Sequence, residues 1–564
     1  MTDVKKDAAE LNDTASQAIL GPNPFIGFRS EDVLATAGAL AQEAASNPTL
    51  VLEQQAELVR DIARVFAGDS TLKPAREDKR FLDAAWTENP FLRISLGGYL
   101  AWTKALGTFI DRSSFDDRTK ERARFVTALV TDALSPSNSY ANPVALKRAI
   151  DTGGTSVARG LRNMVSDVIE NNGMPSMVDK TAFEVGKNLA ITEGSVVFRN
   201  EVLELIQYRP QTELVYETPQ LIIPPQINKF YVYDLSPEKS MVDFLVKGGI
   251  NCFVVSWRNP TAAQRDWGMD TYVSAIIEAI AAARQITGAE KVNVAGACAG
   301  AMTLAALLGY YAAGGGEVPL NSATLLVSVL DGEAADSTMF LFTTKDGVDA
   351  AKAASKRNGV LEGSEMGRIF AWLRPNDLVW NYWVNNYLVG NSPPAFDILF
   401  WNADTTRLPA KFHGELLDAF VDNLFKKPGA LTVLGRPIDL RQVAIDSYFV
   451  AGITDHITPW KGVYSTMQMF GGTKRFVLSA AGHIQSLINP PAAAAKREFF
   501  LNPDQDAPAG DWLKSAKPTK GSWWGDWRAW TQERSGAQVP APAALGSAEH
   551  PPTVKAPGAY VMEK

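Results

Sequence analysis

The chain has 564 residues, too many for one simple core, so we expect one large domain with additions. Its hydrophobic (46%) and charged (21%) fractions are those of an ordinary globular protein, and its net charge of -7 argues against a nucleic-acid partner. Two cysteines and four scattered histidines suggest neither a disulfide framework nor a zinc site, and the first residues lack the apolar core of a signal peptide. These features predict a cytoplasmic protein without a metal site.

Residues 1–200 are predicted to form a helical N-terminal region. The apolar residues of "SEDVLATAGALAQEAAS" and "SLGGYLAWTKALGTFI" recur at helical spacing. The stretches "NPFIGFRS" and "SPSNSYANP" are dense in Pro, Asn and Ser, which is typical of loops.

Residues 201–564 are predicted to form a catalytic α/β domain with a mostly parallel sheet. From about Thr218, strand-like runs such as "QLIIPP", "INCFVVSW", "KVNVAG" and "SATLLVSVLD" alternate with helical patterns. This alternation indicates right-handed crossovers, which place helices on the faces of a parallel sheet.

The alternation is interrupted at about residues 332–436 by a segment rich in aromatic residues, including "IFAWLRPNDLVWNYWVNNYLVG". It resumes with "DSYFVAGITDHITPW" and "RFVLSAAGHIQSLINPP". We interpret the interruption as a cap inserted into the sheet domain. Residues from about 503–564 form a Pro-rich C-terminal tail, whose "GSWWGDWRAW" is expected to be an ordered aromatic patch on the main domain.

No charged residue occurs between Lys291 and Glu317, a distance that would suffice for a membrane span. Six glycines interrupt this stretch, and its first residues alternate as in a strand. We therefore predict a buried strand, a tight turn and a buried helix, and no transmembrane segment.

The turn in this stretch is Gly296-Ala297-Cys298-Ala299-Gly300, which has the form G-x-C-x-G. Between a strand and a helix, this pattern is that of a nucleophile elbow with cysteine in place of serine. The flanking residues must be small because strand and helix approach closely at the strained turn. The alternative is a buried structural cysteine, the usual state of a free cysteine.

A nucleophile elbow needs an acid and a base, which follow it in the order acid then histidine. Asp455 follows the strand "YFVAGIT", and His483 follows the strand "RFVLSAAG". Both would project from the same edge of the sheet as Cys298. This arrangement predicts an α/β-hydrolase fold in which His483 deprotonates Cys298 and Asp455 orients the imidazole.

For the remaining histidines and the second cysteine, the sequence gives weaker evidence of a role in the site. His456 adjoins Asp455 and is either a second-shell partner of the site or a loop histidine satisfied by backbone. His413 and His550 fall in the cap and the tail, where we expect no direct role. Cys252 lies in an apolar strand, where packing is its expected role.

The oxyanion hole is expected to use the backbone N–H of Ala299, the residue after the nucleophile. A second N–H should come from the loop after the strand "QLIIPP". Because Pro224 and Pro225 have no N–H, this donor lies beyond them, in "QINKFYV".

Several further stretches occur in one order along most of the chain: "NPFIGFR", "PPQINKFYVYDLSPEKSMV", "SWRNP", "GACAG", "FDILFWNADTTRLP", "DHITPW", "GHIQSLINPP" and "GSWW". In these motifs and their order the chain resembles the polyhydroxyalkanoate synthases. By motif position, the resemblance implies that Cys298 is the nucleophile, His483 the base and Asp455 the acid.

The resemblance also implies (R)-3-hydroxyacyl-CoA as the substrate and coenzyme A as the released product, with no cofactor because the CoA thioester is itself the substrate. It implies a homodimer attached to cytoplasmic polyhydroxyalkanoate granules. The helical N-terminal region and the wording of the motifs resemble the self-sufficient, pseudomonad-like type, which prefers medium-chain monomers. Ala301 stands where a further glycine would be expected, which leaves the monomer preference open.

Two other functions are compatible with the same residues. A Cys-type α/β-hydrolase acting on esters or lactones would have the same fold and triad. A non-catalytic granule-associated protein would retain the fold, but it would have no need of all three triad residues.

Overall fold

The computed structural model of the chain describes residues 30–76, 78–333, 345–363, 375–491 and 497–564. The predicted loop "NPFIGFR" and part of the predicted cap lie outside these described residues. The described chain forms a group of N-terminal helices followed by a ten-stranded sheet with helices packed against it.

The N-terminal region is helical to Glu170. Its helices are α1 (Ser30–Ser46), α2 (Pro48–Ala67), α3 (Ala85–Glu88), α4 (Pro90–Arg112), α5 (Asp117–Ala133), α6 (Pro143–Asp151) and α7 (Thr155–Glu170). Three of them begin at an Asn-Pro pair, in which the side chain of Asn47, Asn89 or Asn142 accepts a hydrogen bond from an N–H of the first turn. Proline, which has no N–H, suits the following position because an N–H there would have no acceptor within the helix.

The large sheet begins at Gly194. Its strands are β1 (Gly194–Arg199), β2 (Leu203–Tyr208), β3 (Gln220–Ile223), β4 (Cys252–Trp257), β5 (Val292–Ala297), β6 (Leu320–Leu326), β7 (Asp446–Gly452), β8 (Lys474–Ser479), β9 (Glu498–Leu501) and β10 (Lys517–Lys520). They lie in the order β1-β2-β4-β3-β5-β6-β7-β8-β9-β10. Strands β3 to β8 are parallel to one another, which confirms the predicted mostly parallel sheet.

Antiparallel strands complete both edges of the sheet: β1 and β2 at one edge, β9 and β10 at the other. The sequence pattern predicts strands only from about Thr218 and therefore misses β1 and β2. Every residue of β2 is buried, including the polar Glu204 and Gln207, so β2 lacks the continuous apolar run that marks the buried strands further along the chain.

The helices of the sheet domain are α8 (Met241–Val246), α9 (Met269–Thr287), α10 (Ala299–Ala312), α11 (Lys345–Asn358), α12 (Asp397–Ala403), α13 (Ala410–Val421), α14 (Trp460–Gln468), α15 (His483–Leu487), α16 (Ala509–Ser515) and α17 (Trp523–Gln532). Strand β4, which follows β3 in the chain, lies on one side of β3 in the sheet. The next strand, β5, lies on the other side of β3. Right-handed crossovers in opposite directions place their helices on opposite faces, and they open a crevice between β3 and β5. The architecture is that of the predicted α/β-hydrolase fold.

The uncharged stretch of the sequence forms β5, a turn and the buried helix α10, as predicted. Among the helices that the structure describes, none has both the length and the apolar character needed to cross a membrane.

Helices α11 to α13 lie between β6 and β7, where the sequence pattern is interrupted. Two π-helical turns, Asn376–Trp380 and Trp383–Leu388, and a short antiparallel pair of Val360–Leu361 with Leu408–Pro409 belong to the same insertion. We use the name cap for the described residues of this insertion between Leu326 and Asp446.

The N-terminal helix α7 lies against the second π-helical turn of the cap. A Cβ at Gly160 would lie 1.8 Å from the carbonyl oxygen of Tyr387, so only glycine permits this approach. Asn163 Nδ2 donates to the carbonyl oxygens of Asn386 and Asn391, both at 2.9 Å. Asp167 accepts a hydrogen bond from the Tyr387 hydroxyl at 2.8 Å. The N-terminal region and the cap are therefore packed as one unit.

The tryptophan-rich helix α17 of the tail packs behind α15. Trp523 Nε1 donates to the carbonyl oxygen of Ser486 at 2.7 Å, and Trp524 Nε1 donates to that of Leu487 at 3.0 Å. These two carbonyls lie at the C-terminal end of α15, where the last carbonyls of a helix have no N–H donor within the helix. The tail therefore secures the helix that begins at His483.

Candidate active site

The elbow at Cys298 is held in a strained backbone conformation. Cys298 has φ of 49° and ψ of -123°, a region that costs a non-glycine residue about 1–3 kcal/mol. Its N–H donates to the carbonyl oxygen of Leu326 at 3.0 Å, and its own carbonyl accepts from the Ser328 hydroxyl at 3.0 Å. A Cβ at Gly300 would lie 2.4 Å from the carbonyl oxygen of Pro224, which explains the glycine there.

The structure brings Cys298, Asp455 and His483 together. Asp455 follows β7, and His483 is the first residue of α15 after β8, so both lie at the edge of the sheet where the elbow lies. His483 Nδ1 is 2.7 Å from Asp455 Oδ2, and the imidazole also forms a hydrogen bond with Cys298. Asp455 is 5% exposed and His483 2% exposed, so water competes little for these bonds.

Charges in this buried group stabilise one another. Burial alone would lower the pKa of the His483 imidazole, but the Asp455 carboxylate and the Cys298 sulfur raise it, to about 10 in net. Burial would raise the pKa of Asp455, but His483 and Thr458 lower it in net. The arrangement thus favours an imidazolium between a carboxylate and a sulfur, which is the state that activates a cysteine for nucleophilic attack.

The start of α10 and the loop after β3 carry the backbone N–H groups from which the sequence predicts an oxyanion hole. Ala299 is the first residue of the helix, so its N–H has no acceptor within the helix. On the other side of the crevice, β3 pairs with β5 so that Ile223 lies opposite Gly296, and Gln226 follows in the loop after β3. Gln226 Nε2 donates to Thr303 of α10 at 3.0 Å and so ties this loop to the elbow helix.

Comparison with known proteins identifies the family. Residues 77–245 match the family model of the poly-beta-hydroxybutyrate polymerase (PhaC) N-terminus, and residues 219–490 match that of the alpha/beta hydrolase fold. The poly(3-hydroxyalkanoate) polymerase 1 of Ectopseudomonas oleovorans is 48% identical over 559 residues, which cover 99% of this chain and 100% of that one. The chain belongs to the poly(3-hydroxyalkanoate) polymerase family. This confirms the family that the sequence motifs suggested.

Two more members of the polymerase family show how far the similarity extends. Poly(3-hydroxyalkanoate) polymerase 2 of Ectopseudomonas oleovorans is 47% identical over 96% of this chain and 96% of its own length. The poly(3-hydroxyalkanoate) polymerase subunit PhaC of Cupriavidus necator is 42% identical over 86% of this chain and 83% of its own length. The similarity therefore includes the N-terminal helices, the sheet and the cap.

Sequence reasoning missed two residues that lie beside the candidate triad. Thr458 donates its hydroxyl to Asp455 Oδ2 at 2.7 Å and lies 3.1 Å from His483 Nδ1. Its position three residues after an aspartate is a turn pattern that could have indicated this bond. Tyr233 is buried beside the elbow, where burial and the nearby Cys298 sulfur raise the pKa of its hydroxyl; no local pattern marks it.

The other residues singled out in the sequence lie as follows. His456 is half-buried, and its role as a partner of the site stays a prediction. Cys252 is fully buried in β4, where burial raises the pKa of its thiol. His413 is buried in the cap against Ser355, and His550 contacts Gln285. Within the described ranges, no three His, Cys, Asp or Glu side chains gather as metal ligands.

Proposed function

We propose that the chain polymerises (R)-3-hydroxyacyl groups from their CoA thioesters into polyhydroxyalkanoate, through an acyl-Cys298 intermediate and with release of CoA. The observation that carries the proposal is the buried hydrogen-bonded series Asp455–His483–Cys298 at the elbow of a member of the polymerase family. Family membership supports the polymerising reaction, and the geometry of the triad supports the covalent route.

In the first step the Cys298 sulfur attacks the carbonyl carbon of the substrate thioester. The new bond joins this carbon to Cys298, the bond to the CoA sulfur breaks, and the proton passes from Cys298 through His483 to the departing CoA thiolate. The N–H groups of Ala299 and Gln226 would stabilise the oxyanion between these events. Because one thioester replaces another, the exchange needs no further source of free energy.

In the second step the 3-hydroxyl oxygen of another monomer attacks the acyl-Cys298 carbonyl. His483 takes the hydroxyl proton and returns it to the Cys298 sulfur as the ester bond forms and the thioester bond breaks. Water could attack the same carbonyl and release the chain as a free acid, so the reaction requires a site that excludes water. A route through two facing thiols would need Cys298 from a second subunit, because Cys252 is fully buried; a single-thiol route needs one chain.

We also propose attachment of a homodimer to cytoplasmic polyester granules, with no further cofactor. Several large apolar residues of α7 are exposed, among them Leu161, Val165, Val168 and Ile169. Their spacing places them on one side of the helix, and such exposed apolar surface is common at binding faces. If the N-terminal region contacts the granule, Ile169→Glu should shift the protein from granules to supernatant while CoA release from dispersed substrate stays near the wild-type rate.

A Cys-type esterase or lactonase would share the fold and the triad, and it differs in the acceptor of the acyl group. The test is incubation with (R)-3-hydroxyacyl-CoA thioesters of several chain lengths, with CoA release and insoluble polyester measured together. We expect both to rise together, with preference for medium-chain monomers as in the pseudomonad-like type that the motifs resemble. CoA release that yields only free hydroxy acid would identify a hydrolase.

The matched variant for this experiment is Cys298→Ala, with Cys252→Ala as its control. Cys298→Ala should abolish CoA release while the protein stays folded, because loss of the nucleophile of a covalent mechanism removes nearly all of the rate. Cys298→Ser would retain at most a trace, since a hydroxyl is a poorer nucleophile than a thiolate. Activity of Cys298→Ala within about tenfold of wild type would contradict the proposed mechanism.

A further inference from the structure

The carboxylate of Asp455 is held by more than the catalytic histidine. Asp455 Oδ1 accepts the backbone N–H groups of Ile457 and Thr458, each at 2.9 Å. Asp455 Oδ2 accepts the Thr458 hydroxyl at 2.7 Å and lies 2.7 Å from His483 Nδ1. Of these donors from the aspartate's own loop, only the Thr458 hydroxyl belongs to a side chain, so a substitution removes it without altering the backbone bonds.

The Thr458 hydroxyl also touches the histidine. Thr458 Oγ1 lies 3.1 Å from His483 Nδ1, so Oδ2, Oγ1 and Nδ1 form a closed triangle. Because the hydroxyl donates its proton to Asp455, its lone pairs are available to the imidazole N–H. Thr458 is 5% exposed, and its β-branched side chain has few rotamers. The three atoms are therefore shielded from water, and the threonine side chain is conformationally restricted.

We propose that Thr458 is a positioning residue of the active site, whose hydroxyl locks the Asp455 carboxylate and the His483 ring in the one orientation that faces Cys298. This inference rests on the proposed function, because the activated Cys298 is the group that benefits. Cys298, which hydrogen-bonds to His483, is the further titratable group in contact with the triangle, and His456 is the neighbour of Asp455 in the chain.

The test is Thr458→Val, which keeps the shape of the side chain and both backbone N–H bonds but removes the hydroxyl. We expect kcat for CoA release to fall about tenfold with KM changed by less than about twofold, because a hydrogen bond to a charged group is lost and substrate contacts are not. Thr458→Ser, which restores the hydroxyl, should recover most of the rate.

A second measurement is independent of the polymerase reaction. The rate of Cys298 alkylation by iodoacetamide, followed against pH, reports how well the imidazolium stabilises the thiolate. In Thr458→Val a less well oriented ring should move the midpoint of this profile upward by about half a pH unit or more. Cys252 does not compete, since it is fully buried.

Thr466→Val is the matched control, because Thr466 is another buried threonine whose hydroxyl accepts the N–H of Leu330 away from the triad. It should lower the unfolding temperature without moving the alkylation profile.

A wild-type kcat and alkylation profile in Thr458→Val would overturn the proposal, as would a Thr458→Ser variant as impaired as Thr458→Val. If Thr458→Val does not fold, the smaller Thr458→Ala carries the same comparison. Should CoA release prove not to involve Cys298 at all, the alkylation profile still decides the role of Thr458.

Discussion

At the scale of single residues, the protein holds a strained backbone conformation at Cys298. Cys298 keeps a positive φ because hydrogen bonds and two glycines surround it: its N–H donates to Leu326, its C=O accepts from Ser328, and the glycines at positions 296 and 300 leave no Cβ to clash. Strain of this kind persists only where the surroundings determine the backbone, and it is common at reactive side chains. The turn presents the sulfur to His483 at the head of α10.

Substitution of the histidines should rank their roles. We expect His483→Gln to be nearly inactive in CoA release, Asp455→Asn to be intermediate, and His456→Gln to be the mildest of the three. The base transfers the proton, whereas loss of the acid is partly compensated by the remaining contacts of the ring. Circular dichroism of each variant is the control for folding. If His456→Gln were more damaging than His483→Gln, the assignment of the base would be wrong.

The stability of the folded chain should depend on pH through His483. Its pKa of about 10 lies above the ordinary value of 6.5, so its contribution to the free energy of unfolding is fully present below pH 6.5. Between pH 6.5 and 10 the folded state binds the proton that the unfolded state has lost, so stability falls with rising pH, by up to about 1.4 kcal/mol per pH unit. The lowered pKa of Asp455 acts at the other end: its contribution is present above pH 3.8 and is lost as the pH falls further.

Urea unfolding of the wild type and His483→Gln at several pH values measures this effect. The difference in the free energy of unfolding between the two proteins should shrink as the pH rises from 6.5 toward 10. A difference that stayed constant across this range would show that His483 is not charged in the folded protein.

At the scale of elements, short helices depend on distant partners. Helix α15 has five residues, too few to be stable alone, yet it carries His483. Its last carbonyls are bonded by Trp523 and Trp524 of α17, so the tail supplies the caps that the helix lacks. This makes the aromatic tail part of the support of the active site.

The contact between α7 and the cap predicts the effect of one added methyl group. Gly160→Ala would place a Cβ 1.8 Å from the carbonyl oxygen of Tyr387, so α7 and the π-helical turn must separate. We expect a loss of about 1–3 kcal/mol in the free energy of unfolding and faster hydrogen exchange in residues 383–391. The control is Gly98→Ala in α4, where no atom lies within 4 Å and alanine should stabilise the helix by about 0.5–1 kcal/mol. Equal behaviour of the two variants would contradict the close contact.

At the scale of the whole molecule, the place of the cap in the chain leads to a prediction about access to Cys298. The insertion leaves the sheet at the edge where the elbow lies, so we predict that residues 332–436 cover the nucleophile and move when substrate binds. Its aromatic content suits a surface that covers an acyl chain and excludes water. Hydrogen exchange with and without a non-hydrolysable acyl-CoA analogue tests this, and we expect changed protection in the cap as well as in the elbow. Unchanged protection in residues 332–436 while the elbow responds would refute a moving cap.

Aromatic residues of the cap also make packing contacts, and these contacts are distinct from a role in covering the substrate. Trp383 stacks edge-on against Trp380 and Tyr387 at 5.9 and 5.2 Å, and its Nε1 donates to the carbonyl oxygen of Asn138 in the N-terminal region. These contacts support the alternative that cap aromatics form the core of the cap or an interface. Because the cap and α7 are packed together, a moving cap would have to take α7 with it or break these bonds.

The sequence by itself determined the features that depend on local order along the chain. A parallel sheet follows from alternating apolar runs and helical patterns, and the positions of Cys298, Asp455 and His483 at strand ends follow from a short motif and its order. The elbow motif depends on residue types within a few positions of one another. The parallel sheet and the order of the three residues depend on a topology with few alternatives.

Only the tertiary structure decided which distant residues meet. Asn163 bonds to a carbonyl 223 residues away, β2 buries the polar Glu204 and Gln207, and Trp523 bonds to a helix 37 residues before it. The identity of an asparagine or a tryptophan does not indicate its hydrogen-bond partner, since a backbone carbonyl anywhere in the chain can accept a hydrogen bond from its side chain equally well. The close approach of α7 to the cap, and the triangle at Thr458, therefore emerge only when the whole chain is packed.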